Sequence, residues 1–223
     1  MIATQLKNIQ HRIHLAEIAH HRAANSVNLL AVSKTKPASA IASAYQAGQR
    51  HFGENYVQEA LVKQQSLSAF DITWHFIGPI QSNKTKLLAT KFDWVHSVDD
   101  LKIAQRLSAQ RPAALPPLNI CIQVNISNEA NKSGIKLEDL PHLISMISLL
   151  PNILLRGVMV IPKPSTDFSA QCKPYQKLVA AVNTLNNPLL SEFSFGMSDD
   201  LDAAIAEGST WVRIGSALFG SRH

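Results

Sequence analysis

An α/β barrel of eight strand–helix units is the fold class that this sequence predicts, and three observations carry it. Eight short apolar runs alternate with eight stretches of helical periodicity along the chain. Most of the runs are continuous rather than alternating, so their strands are buried on both faces, as parallel strands under helices are. The chain has 223 residues, 46% of them hydrophobic and 17% charged. That is enough for one buried core, or at most two small ones, and too apolar for disorder. Eight such units close into a TIM barrel, near the low end of its usual ~250 residues. A doubly wound open sheet is the alternative, and it lacks a G-x-G-x-x-G turn after its first strand.

In chain order, residues 1–22 place Ile2, Leu6, Ile9, Ile13 and Ala16 on one helical face. VNLLAVS (27–33) is the first strand and runs into Lys34; Pro37 then opens a helix that Gly48 closes. HF (51–52) is a short second strand, followed by a helix from Glu54 to about Ser68. WHFIG (74–78) and WVHS (94–97) are strands three and four, each followed by a helix, over 82–90 and over 99–110 with Asp99 as cap. LNICIQVNI (118–126) comes after a loop marked by Pro112, Pro116 and Pro117. Residues 137–150 form a helix with Pro141 in its first turn, and ILLRGVMVI (153–161) is the sixth strand. A helix over 167–186, strand EFSFG (192–196), helix 199–208 and strand WVRIG (211–215) complete the pattern. The remaining SALFGSRH is too short for a full closing helix, so the N-terminal helix is expected to cover the eighth position. One domain spanning 1–223 is expected.

Composition excludes several function classes. No apolar run approaches the ~18–20 residues of a membrane span, and the N-terminus, polar or charged every few positions, is unlike a signal peptide. Cys121 and Cys172 form no C-x-x-C and read as the reduced thiols of a cytoplasmic protein. His11, His14 and His21 share a stripe of the first helix with neither an i,i+4 pair nor a carboxylate partner, so no metal site is expected. His75 and His96 read as satisfied core or rim residues. The 21 Lys+Arg against 16 Asp+Glu give a net charge of +5, but the basic residues are scattered, which argues against nucleic acid.

In a TIM barrel, function sits at the C-terminal ends of the strands. Lys34 is the sharpest candidate there, because burial of its stem and the nearby cation of Lys36 both lower an amine pKa and free it for Schiff-base formation. The plain alternative is a lysine reaching from a strand end to water. Near the other end of the chain, Ser198 precedes a helix with Asp199 and Asp200 in its first turn, and Arg213 lies in the last strand, just before Gly215 and Ser216. Loops after strands seven and eight are where this fold binds phosphate. Equally, Ser198 reads as a helix cap, Gly215 as a turn residue and Arg213 as the partner of a carboxylate. A reactive lysine facing a phosphate cup suits an aldehyde bearing a phosphate. Pyridoxal phosphate fits that description, and so do sugar phosphates.

LLAVSKTKP, FGENYVQE, WHFIGPIQSNK, VNISNEANKSG, LRGVMVIP and FGMSDDLDAAIAEGSTWVRIGSALFG follow one another from about residue 27 to 220. In that order they resemble the pyridoxal phosphate homeostasis proteins, a family similar to the N-terminal barrel domain of alanine racemase, the third fold type of such enzymes. The resemblance implies that Lys34 carries pyridoxal 5′-phosphate as a Schiff base and that Asn55 lines the ring pocket. It implies that Ser198, Gly215 and Ser216 hold the phosphate and that Arg213 faces the pyridine nitrogen. Ser216 stands where the family often has Thr, which keeps the hydroxyl.

An arginine does not give up its proton, so the ring nitrogen stays unprotonated and the ring is a poor electron sink. Racemisation remains conceivable but needs a second acid/base on the opposite face. In alanine racemase that group is a tyrosine from an additional β domain. With the chain ending at His223 no such domain is expected, and Tyr45, Tyr56 and Tyr175 fall in predicted helices. The implied role is a monomeric carrier without catalytic residues, which holds the cofactor for recipient apo-enzymes and so influences amino-acid and keto-acid metabolism. Lys36 and Lys132 are candidate second amines for the hand-over. The alternative is a racemase-like enzyme using Lys34 as base.

Overall fold

Strands β1 (Asn28–Val32), β2 (His51–Glu54), β3 (Thr73–Phe76) and β4 (Trp94–Val98) stand side by side in chain order. They continue through β5 (Leu118–Val124), β6 (Ile153–Val160), β7 (Glu192–Ser194) and β8 (Trp211–Ile214). Every pairing is parallel, and β8 pairs back onto β1 from Asn28↔Trp211 to Ala31↔Ile214. That last register closes the barrel and overturns the open-sheet alternative. The computed structural model describes residues 1–129 and 132–220.

The helices are α1 (Ile2–Ala19), α2 (Ala38–Gln46), α3 (Val57–Ser66), α4 (Thr85–Lys91) and α5 (Leu101–Gln110), then α6 (Leu140–Ile147), α7 (Phe168–Thr184), α8 (Leu201–Ala206) and α9 (Ser216–Phe219). The outward strand residues Ala31, Phe52, Phe76, Val95, Ile120, Val158 and Val212 meet Leu6, Ile41, Ala60, Leu88, Leu107, Leu178 and Ile205 of the helices in one continuous core. Since α9 is a single turn, α1 packs against α2, α8 and α9 and covers the eighth position, as the short C-terminus implied. Arg22 fixes this arrangement by donating to Ile205 O at 2.9 Å and Ser209 O at 3.1 Å. Among the described residues, no helix is long and apolar enough to cross a membrane.

Three of the boundaries that differ from the sequence expectation have a clear local reason. Glu54 ends β2 instead of opening α3, because its carboxylate is fully buried beside Lys63. The cap of α5 is Asp100, which accepts from Lys102 N at 2.6 Å. Asp99 instead accepts from Gly134 N at 3.0 Å and ties the loop after β5 to β4. Ser198 lies in a turn, and α8 begins only at Leu201, after Asp200.

The barrel lumen departs from the branched aliphatic filling usual for this fold. The rings of His51, His75, Trp94, His96 and Trp211 pack together there, His51 on Trp211 at 4.9 Å and His75 flat on Trp94 at 5.5 Å between centroids.

Candidate functional site

A cleft of about 300 Å³ opens at the C-terminal ends of the strands, and Lys34, Asn55, Ser198, Arg213, Gly215 and Ser216 all line it. The six residues that the sequence singled out from three separate segments therefore share one space. Its size is at the lower end for ligand pockets, suited to a single-ring molecule.

Lys34 lies in the turn after β1 rather than in the strand, and Lys36 N closes that turn on Ser33 O at 3.0 Å. A buried cluster braces it from below. Lys63 Nζ donates to Ser33 O and to Glu54 Oε1, each at 2.7 Å, and to Glu59 Oε1. Ser33 Oγ donates to Glu54 Oε1 at 2.6 Å, and Thr35 N, at φ 63°, donates to Glu59 Oε1 at 2.6 Å. Burial pushes the Glu54 carboxyl up from its ordinary value, while the Lys63 and Ser33 hydrogen bonds pull it back. Glu59 and Lys63 are an i,i+4 pair, so a sequence signal for part of this brace existed, but nothing in the spacing tied it to Lys34.

Asn55 follows β2, and its Oδ1 is buried without a hydrogen-bond partner among the described residues. The close approach that places it depends on Gly78, where a Cβ would lie 2.2 Å from Asn55 O. Around Ser198 the backbone is pinned: Met197 N donates to Asp200 Oδ1 at 2.6 Å, and Arg12 Nη1 donates to Ser198 O at 2.7 Å. Tyr175 OH donates to Asp200 Oδ2 at 2.6 Å. Burial and the Asp200 charge raise the Tyr175 pKa far above its ordinary value, so this phenol stays protonated near neutral pH.

Arg213, 6% exposed, reaches from β8 to the neighbouring strands β7 and β6. Nη1 donates to Ser194 O at 2.6 Å and Ser194 Oγ at 3.1 Å, and Nη2 donates to Val160 O at 3.0 Å. All three acceptors are neutral, so the carboxylate partner that the plain reading expected is not what holds it. Burial lowers its pKa, partly offset by Tyr175 and Asp200, yet a guanidinium stays charged. At Gly215 a Cβ would come within 3.3 Å of Val32 O, a tight approach where β8 closes on β1. Ser216 opens α9, whose first amides have no intrahelical acceptors.

The family defined as the alanine racemase N-terminal domain matches residues 4–223. The pyridoxal phosphate homeostasis protein of Pseudomonas aeruginosa is 57% identical over 221 residues, covering 99% of this chain and 96% of that one. The chain belongs to the pyridoxal phosphate homeostasis proteins. Another member of that family, from Escherichia coli, is 50% identical over 226 residues, covering 99% and 97%. Among solved structures, PipY of Synechococcus elongatus with PLP bound superposes at TM-score 0.85 with 37% identity, over 99% of this chain and all of that one. Alanine racemase from Corynebacterium glutamicum shares the fold, at TM-score 0.66 and 14% identity, over 97% of this chain and 61% of its own length.

Lys36 also lines the main cleft. Lys132 lines an adjoining recess of about 270 Å³ that shares Asn55, Ile77 and Ile161 with it. What sequence reasoning missed is the bracing that holds the site residues in place: by Glu54, Glu59 and Lys63 under Lys34, by Tyr175 and Asp200 beside Ser198, and by Ser194 under Arg213.

Proposed function

We propose that residues 1–223 act as one monomeric, cytoplasmic domain that binds pyridoxal 5′-phosphate reversibly through Lys34, and that the protein maintains the supply of this cofactor to recipient apo-enzymes. The convergence of the six residues on one cleft carries this reading. The site also fits the molecule chemically. A buried arginine held by neutral acceptors and a buried amide oxygen without a partner are groups that a bound ligand satisfies.

Pyridoxal phosphate supplies an aldehyde to which an amine adds with loss of water. The chain's own residues do the rest. The brace of Lys63, Glu54 and Glu59 sets the turn that presents Lys34. Ser198 and Ser216 offer hydroxyls to the phosphate, and Gly215 keeps the backbone close. Arg213 donates to the ring nitrogen and keeps its proton, so that nitrogen remains a bare acceptor. None of the three tyrosines lines the cleft among the described residues, and Tyr175 is locked onto Asp200. Both facts support a carrier over the racemase-like alternative. Lys36 and Lys132 serve in this reading as second amines to which the cofactor passes on its way out.

The test is a visible spectrum of the purified protein with added pyridoxal phosphate, together with Lys34→Ala. The band of a lysine adduct is expected in the parent and is lost in the variant. An unchanged band in the variant removes Lys34 from this role. Exchange of amino-acid α-protons in heavy water at ~1 s⁻¹ or faster, ordinary for enzymes, would make the protein a catalyst instead.

A further inference from the structure

A continuous hydrogen-bonded column crosses the barrel lumen from its floor to the cleft. His51 Nδ1 lies 3.0 Å from His75 Nε2, and His75 Nδ1 lies 2.9 Å from His96 Nε2. His96 Nδ1 lies 2.8 Å from Ser194 Oγ, which in turn accepts from Arg213 Nη1 at 3.1 Å. His75, His96 and Ser194 are fully buried, and His51 lines a recess at the barrel floor. Three strands that are neighbours in the sheet (β2, β3 and β4) thus hand their imidazoles in line to a serine on β7, on the far side of the lumen.

The direction of this column follows from donor counting. Burial keeps all three rings neutral, with the pKa of His75 well below the ordinary 6.5 and that of His96 lowered to about 3. A neutral imidazole carries one N–H and one bare nitrogen. Each nitrogen–nitrogen contact holds one proton, so the three rings adopt the same tautomer, all Nε2–H or all Nδ1–H. Arg213 breaks the tie. It only donates, so it occupies a lone pair of Ser194 Oγ, and His96 Nδ1 is the acceptor within reach of the hydroxyl proton. The opposite tautomers would give Ser194 two donors and leave its own buried O–H unused, the costly case for a buried donor. The column therefore runs as Nε2–H throughout. Because Arg213 does not release a proton, the column transmits orientation and not protons.

We propose that His96, backed by His75 and His51, is a positioning residue for Arg213: the column fixes the Ser194 hydroxyl so that its lone pair holds the guanidinium in the plane that it presents to the cleft. The consequence for the pyridine nitrogen rests on the cofactor reading above, whereas the column itself does not.

Long-range ¹⁵N–¹H spectra of the full chain labelled at histidine and arginine, recorded without cofactor, test the column directly. His51, His75 and His96 are all expected as Nε2–H tautomers, and an Nδ1–H tautomer at His75 or His96 overturns the proposal. Ser194→Ala keeps the main-chain acceptor of Arg213 and deletes only the hydroxyl. The Arg213 side-chain protons are then expected to exchange with solvent about 10-fold faster, and the His96 tautomer to become mixed, with Ser194→Thr restoring both. Unchanged exchange and tautomers in Ser194→Ala overturn the positioning role. The parent spectrum alone decides the column should that variant fail to fold. With pyridoxal phosphate added, Ser194→Ala is expected to shift the visible band, with Ser194→Thr returning it. Failure of the parent to bind the cofactor, with the tautomers as stated, counts against the cofactor reading and leaves the column standing.

Discussion

The floor of the barrel and its mouth treat polar side chains in opposite ways. At the floor, Gln49 Nε2 donates to Leu29 O at 2.8 Å and His51 O at 2.7 Å, and Trp211 Nε1 donates to Glu192 Oε2 at 2.8 Å. Arg111 Nη1 donates to Ala89 O and Phe92 O, each at 2.8 Å, and the buried Glu17 accepts from Val27 N at 2.9 Å and Asn25 N at 3.1 Å. At the mouth, Asn55 Oδ1 is buried without a partner and Arg213 is held by neutral oxygens. Buried polar groups are satisfied wherever stability alone selects. Among the described residues the side-chain oxygen of Gln110, at the end of α5, is also buried without a partner, so incomplete pairing at the mouth marks the end that binds only together with the cleft that Asn55 and Arg213 line. Substitutions at the floor should change stability and spare the ligand, and substitutions at the mouth should do the reverse.

The largest expected effect comes from acid. His75 and His96 are buried and neutral, with pKa values depressed by burial, that of His96 to about 3. Below the ordinary value of 6.5 the unfolded chain binds protons that the folded barrel refuses. Stability is thus full above pH 6.5 and falls as pH drops below it, by up to about 1.4 kcal/mol per pH unit for each ring that stays neutral. Glu54, Asp93 and Asp99, whose carboxyl pKa values are raised by burial, act in the opposite sense and shallow the slope. Urea midpoints between pH 7 and 4.5 measure it, and stability rising on acidification would contradict the neutral lumen. Next in size is Glu17→Ala, which leaves the buried Val27 N and the part-buried Asn25 N without their acceptor and should cost about 2 kcal/mol. Cofactor affinity should be unchanged, and a parallel loss of affinity would break the separation between the two ends.

How far the sequence reached follows the same division. The strands were legible because apolar runs buried on both faces leave a continuous signature; Lys34, Ser198 and Ser216 because they are polar residues set near where such runs stop; and Arg213 because it is a charge inside an apolar strand. Glu54 was not legible as a strand end. The apolar part of β2 is only His51–Phe52 in the sequence pattern, and a buried carboxylate looks like the acidic start of a helix until Lys63 is seen beside it. Of the histidine column, His75 and His96 were legible as satisfied core or rim groups, while His51 and the column itself were not. Its continuity depends on the stagger between neighbouring strands and on Ser194, 98 positions away from His96 in the chain, and no periodicity records either. Asp99 and Asp100 differ as caps by one position, and the loop that claims Asp99 is remote in sequence.

A smaller effect sharpens the comparison at the mouth. Asn55→Ala removes a buried amide oxygen that has no partner to lose, so the apo-protein should keep its stability or gain about 0.5 kcal/mol. Affinity for pyridoxal phosphate should fall about 10-fold, equivalent to ~1.4 kcal/mol. Calorimetric titration and denaturant unfolding on the same variant separate the two quantities. Destabilisation without loss of affinity would make Asn55 a floor-type residue in the wrong place.

The smallest expected effect is the most selective. Ser216 is exposed at the start of α9 and makes no side-chain hydrogen bond among the described residues, so Ser216→Ala has nothing to break in the empty barrel. If its hydroxyl donates to a phosphate, its removal should weaken pyridoxal phosphate about 5-fold, in keeping with ~1 kcal/mol for one hydrogen bond in a partly solvated site. Pyridoxal, which has the same ring and aldehyde but no phosphate, should bind parent and variant alike. A ring-contacting role would weaken both ligands equally, and a structural role would lower the unfolding midpoint. Only a phosphate contact separates the two ligands while leaving stability untouched, so this one substitution distinguishes which end of the cofactor the β8–α9 turn holds.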